Sequence, residues 1–149
     1  MVKFVPVLLL ALLLNSFNPG YASHWRRILV DGNVSIQVEV VTTAKEKAKG
    51  LGGRFSLPEG MGMLFQYNWI GEHTFWMKNM HFPIDIIWID RGVIVHIEKK
   101  VPPPRSGASD RSLPVYGRGI NADMVLEVPA GYTSKKSIIE GSTVQIKPK

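Results

Sequence analysis

The stretch from His73 to Asp90, H-T-F-W-M-K-N-M-H-F-P-I-D-I-I-W-I-D, constrains this chain more than any other. It is strongly apolar, yet Lys78, Asn79 and Asp85 stand where a plain core strand would carry hydrophobes. Polar groups in such surroundings are costly unless they are paired. Side chains alternate along a strand, so Asp85 points the same way as Ile87 and Ile89, and both faces of Ile84 to Ile89 are apolar. A covered carboxylate wants a cation or several N–H donors. Lys78 lies across the bend made by Asn79 to Pro83 and is the expected partner of Asp85.

The remaining segments are short and punctuated by turn residues. Ile28 to Val30, Asp31-Gly32 and Val34 to Val41 predict a hairpin, since Asp-Gly suits the positive φ angles of a tight turn. Val34, Ile36, Val38 and Val40 alternate with Ser35, Gln37 and Glu39, giving one buried and one wet face. Thr43 with Glu46 forms a capping-box pattern that opens a short helix through Lys49, and Gly50 can end it in the left-handed conformation. Strands are expected at Met63 to Tyr67, Thr74 to Lys78, Ile84 to Asp90, Val93 to Glu98, Met124 to Val128 and Thr143 to Lys147. A second short helix, capped by Thr133 or Ser134, is expected to run to Glu140. Lys99 to Asp123, rich in Pro, Gly and Ser, reads as an irregular surface excursion. About seven short strands and two short helices predict an α+β, mainly β fold: a single compact, antiparallel, barrel-like sheet.

The first residues have the pattern of an export signal. Lys3 is followed by an apolar run from Phe4 to Leu14 and small residues at Gly20-Tyr21-Ala22. The expected division is a signal peptide over 1–22 and one β-rich domain over 23–149. The apolar run is too short to cross a bilayer, so no transmembrane span is expected in the mature chain. The signal holds one of the 18 basic residues and none of the 12 acidic ones, which leaves a mature net charge of +5. A periplasmic or secreted location is expected, with an anionic envelope polymer or a small ligand as partner. No aromatic–basic stripe points to nucleic acid. The complete lack of cysteine excludes disulfides, thiol catalysis and thiolate metal sites.

Five blocks carry a family resemblance: Ala48-x-Gly50-Leu51-x-x-Arg54, Gly62-Met63-Leu64-Phe65, Phe75-Trp76-Met77-Lys78-Asn79, Pro83-x-Asp85-Ile86-Ile87 and Leu126-Glu127-x-Pro129-Ala130-Gly131. In this order they resemble domain-of-unknown-function family 192, small bacterial and archaeal domains that often follow a signal peptide. The resemblance spans roughly Val34 to Ile146 and implies a compact β-rich fold with short helices. It implies no activity, cofactor or catalytic residue. This chain departs from the family pattern at Gly52, where Met is usual, at Ser142, where Asp is usual, and at His81, a commonly uncharged position.

The candidate pocket is Lys78, Asn79, Asp85, Glu127, Arg54 and Trp76. A structural ion pair between Lys78 and Asp85 is the bland reading, and a charged pair on a cleft floor completed by Glu127 or Arg54 is the functional one. Three functions follow. The leading one is a non-catalytic exported binding or accessory domain of the envelope. A hydrolase centred on Lys78, Asp85 and Glu127 is the second, although no spacing brings the two carboxylates together. The third is a periplasmic Cu(I)-binding protein using Met61, Met63, Met77, Met80 and His81, since thioether and imidazole suit that ion. Methionine equally fills irregular core gaps. No cofactor is expected.

Overall fold

The computed structural model describes residues 24–148, so the expected signal segment lies outside the described residues. The chain runs β1 (Trp25–Val30), β2 (Val34–Val41), α1 (Ala44–Lys49), β3 (Met61–Glu72), β4 (Ile84–Asp90), β5 (Val93–Val101), β6 (Asn121–Pro129), α2 (Tyr132–Lys135) and β7 (Val144–Ile146). The strands form one sheet in the order β5-β4-β6-β3-β2-β1-β7. Among the described strands only β2 and β3 pair in parallel, because α1 and its loop carry the chain back before β3 begins. The sheet curls until its edges meet: Val93 and Thr143 form a bridge, and Ile94 N–H donates to Ser142 O at 2.9 Å. This curled half-barrel with two short helices is the expected mainly β, α+β fold.

Local signals explain the elements they announced. Asp31 (φ 48°) and Gly32 (φ 73°) make the β1–β2 turn. Thr43 accepts from Glu46 N–H at 3.2 Å while Glu46 Oε2 accepts from Thr43 N–H at 3.0 Å, closing both halves of the capping box. Gly50 ends α1 at φ 49°, ψ −138°, a positive-φ conformation other than the expected left-handed one. Gly117 (φ 82°) is required for a different reason: a Cβ there would lie 2.4 Å from the Trp88 ring.

Three further expectations fail. Thr74 to Lys78 is no strand, because its backbone finds one isolated partner, Tyr116, bridged to Phe75, before the chain turns at Asn79 (φ 57°). β3 is longer than expected and keeps pairing with β6 through a register shift between Gln66 and Gly71. The second helix starts at Tyr132 and ends by Lys135, since Ser137 turns to φ 56° and breaks it.

Alternation along the strands creates two cores. Ile28, Ile36, Leu64, Ile87, Ile89, Leu126, Val128 and Val144 fill one face of the sheet. On the other face Met63, Phe65, Ile86, Trp88 and Val125 are covered by Leu51, Met77, Met80 and neighbouring loop residues. The central strands β3, β4 and β6 are thus buried on both faces, which accounts for the doubly apolar block at Ile84 to Ile89.

Candidate functional site

Asp85 and Glu127 occupy opposite faces of the sheet. Asp85 pairs across to Val128 and belongs with the first core, whereas Glu127 pairs across to Ile86 and to Met63 and belongs with the second. Strand geometry therefore separates the two carboxylates.

Asp85 is fully buried, and its partners are three backbone N–H groups and one hydroxyl, not Lys78. Its Oδ1 accepts from Lys100 N–H (2.8 Å) and Gly131 N–H (2.9 Å), and its Oδ2 from Thr133 N–H (3.0 Å) and the Thr133 hydroxyl (2.6 Å). The expected Lys78–Asp85 pair is thereby corrected. Lys78 instead bonds Asp110, on a 3-10 turn (Asp110–Ser112) in the long excursion, and its ammonium lies 5.2 Å from the Trp76 ring centroid. The hydrolase centre of Lys78, Asp85 and Glu127 is not assembled.

Glu127 lies at a cavity of about 190 Å3 between α1 and the 74–80 segment, lined also by Lys47, Lys49, Phe65, Tyr67, Phe75, Trp76, Lys78 and Met80. Its side chain is buried, and Oε2 has no hydrogen-bond partner. Burial pushes its carboxyl up to about 8, with the nearby Arg54 cation opposing more weakly. Tyr67 is pushed up to about 12, first by burial and then by the charge of Glu127. Lys47 sits 4.0 Å from the Tyr67 ring centroid, and burial holds its ammonium below the ordinary lysine value. Behind Tyr67, His73 stacks at 3.4 Å between centroids, and burial lowers its pKa. The His73 carbonyl accepts from Trp88 Nε1–H at 2.8 Å, fixing this wall to the core.

Of the six predicted pocket residues, Lys78, Trp76 and Glu127 share this cavity. Arg54 pairs with Glu39 at 2.7 Å and lines an adjoining groove of about 450 Å3 with His24, Thr43, Lys45, Lys49 and Met63. Lys49 and Gly50 border both spaces. Asn79 is exposed and serves the turn, its positive φ being one that asparagine tolerates. Lys47 and Tyr67 were missed. Tyr67 continues the face of Met63 and Phe65, but nothing local to it announces that α1 lies across that face.

Three of the four methionines expected to bind Cu(I) have packing roles. Met63, Met77 and Met80 are buried in the second core, Met61 is half-buried, and His81 is exposed and stacked on Phe55 at 5.4 Å. Among the described residues, no cluster of three His, Cys, Asp or Glu side chains could hold a metal ion, and no helix is long and apolar enough to cross a membrane.

The family model DUF192, described as "Uncharacterized ACR", matches residues 27–146. The chain belongs to domain-of-unknown-function family 192. No curated protein matches it. Two crystal structures share the fold. One is a suggested transcription regulator from Sinorhizobium meliloti 1021, with 22% identity and a TM-score of 0.71, covering 82% of this chain and 93% of that one. The other is a protein of unknown function from Novosphingobium aromaticivorans DSM 12444, with 27% identity and a TM-score of 0.68, covering 80% and 83%. Family 192 is a family of unknown function, and a shared fold assigns no chemistry.

Proposed function

We propose that this member of family 192 is a non-catalytic, exported binding domain of the cell envelope, with the Glu127 cavity as its ligand site. The observation that carries the reading is the Glu127 side chain, which lines the cavity although it is buried and its Oε2 has no donor. Oε2 itself is closed to solvent, so a ligand meets this carboxyl through the part of the side chain that lines the cavity. A buried polar atom left unsatisfied costs about 1–3 kcal/mol, which marks the position as one held for a purpose other than packing. Aromatic walls with a few convergent polar groups are the usual makeup of a small-molecule site. Among the described residues Glu127 is the one carboxylate lining the cavity, and no serine or histidine lines it, which favours binding over catalysis. Export is supported by Lys3, the apolar run from Phe4 to Leu14 and the small residues before His24.

Amide NMR of the chain against a library of small polar fragments tests the site. Shifts concentrated at Lys47, Tyr67, Trp76, Lys78 and Glu127 are expected. A library that moves none of these signals, or a fragment that is turned over, would sink the reading. Export is checked by the intact mass of the protein recovered after bacterial expression, with loss of residues 1–22 expected and retention of the full length inside the cell against it.

A further inference from the structure

The chemistry of the ligand is written in how the cavity is divided. Glu127 lines the cavity and is 6% exposed; its Oε2 lacks a partner and is closed to solvent, so a ligand meets the remainder of the carboxyl side chain. Burial holds this carboxyl largely protonated near neutral pH, so it offers both an O–H donor and an oxygen acceptor. A hydroxyl, which also donates and accepts, is its natural complement. A ligand ammonium is disfavoured, because Lys47, Lys49 and Lys78 surround the same space. Among the described residues neither Lys47 nor Lys49 pairs with a carboxylate, so the rim carries positive charge open to an anion. Phe75 and the exposed Trp76 also line the cavity, and they suit the apolar C–H face of a ring.

We propose that the cavity binds a sugar acid, with ring hydroxyls on Glu127, the ring against Phe75 and Trp76, and the carboxylate at Lys47 and Lys49. The proposal rests on reading the Glu127 cavity as the ligand site. The same ring chemistry comes either as a free sugar acid or as a unit of an acidic glycan. A glycan has a neighbouring surface to extend over, since Lys49 and Gly50 border both the cavity and the groove lined by Lys45 and Arg54.

Calorimetric titration of the full chain with galacturonic acid, its linear tetramer, the methyl-esterified tetramer and inorganic polyphosphate tests this. The acid tetramer should bind about tenfold more tightly than its neutral ester, and Lys47→Gln should remove that difference. Glu127→Leu should weaken both tetramers about tenfold, while Glu127→Gln, whose amide still donates and accepts, should retain binding. Lys99→Gln, remote from the cavity, serves as the control for lost charge alone. A tetramer bound more tightly than the monomer, with the gain lost in Arg54→Gln, identifies a glycan; equal affinities identify the free acid. An ester that binds as well as the acid overturns the proposal, though its dependence on Glu127 would leave the cavity as a ligand site. Polyphosphate binding as tightly, regardless of Glu127→Leu, reduces the effect to general polyanion attraction and also overturns it. Failure of every sugar while fragments still shift the cavity signals removes the sugar acid alone. Amide spectra establish that each variant is folded.

Discussion

Glu127 lies in a strand among apolar residues, and its proton follows from that position. The unfolded chain titrates this group at the ordinary 4.5, whereas burial raises the folded value to about 8. The folded state therefore holds the proton more tightly, and the stability it contributes is full below about pH 4.5 and is lost as pH rises through 8. At 1.36 kcal/mol per unit, the loss has an upper bound of about 5 kcal/mol. Urea unfolding across this range should show stability falling with pH in the native chain and a flatter profile in Glu127→Gln. Parallel slopes in the two proteins would contradict the burial argument. Several site residues were legible one at a time: Lys78, Trp76 and Glu127 stood out as polar or aromatic groups in unusual places, and they share the cavity. The partner of Asp85 was not legible. A buried carboxylate demands donors, but backbone N–H groups from residues 100, 131 and 133 leave no mark in the sequence beside Asp85.

At the scale of elements, Asp85 ties three pieces together. Gly131 is the N-cap of α2 and supplies no side chain, so the first orphan N–H groups of that helix donate instead to Asp85 on β4. The third donor, Lys100, lies near the end of β5. Asp85→Ala would leave these donors unpaired at a cost of about 3 kcal/mol or more. Amide exchange should accelerate first at Lys100, Gly131 and Thr133, and an unchanged exchange pattern there would refute this role. The contrast between the two helices is instructive. α1 carries its own capping box in Thr43 and Glu46, so its start was readable. α2 borrows its cap from a residue 46 positions away, so its start was misplaced. The absent strand at Thr74 to Lys78 has a similar origin: alternation predicts a strand, but only a neighbour with free donors and acceptors makes one.

Across the whole molecule, the curled sheet buries both of its faces and the long loops supply its outer cover. Lys78 and Asp110 fasten the 102–120 excursion to the segment that borders the Glu127 cavity. Both side chains are partly exposed, so Asp110→Asn should cost under about 1 kcal/mol in stability. Hydrogen exchange should nevertheless rise between Arg105 and Tyr116, and full protection there would show that the excursion is held by apolar packing alone. The sequence by itself determined the strand-rich class, the α1 cap, the β1–β2 turn and the family, because each is encoded by neighbours a few residues apart or by ordered blocks. Only the tertiary structure decided which faces the polar residues share. Register across β4, β6 and β3 places Asp85 on one side and Glu127 on the other, and a shift of one residue in that register would exchange them.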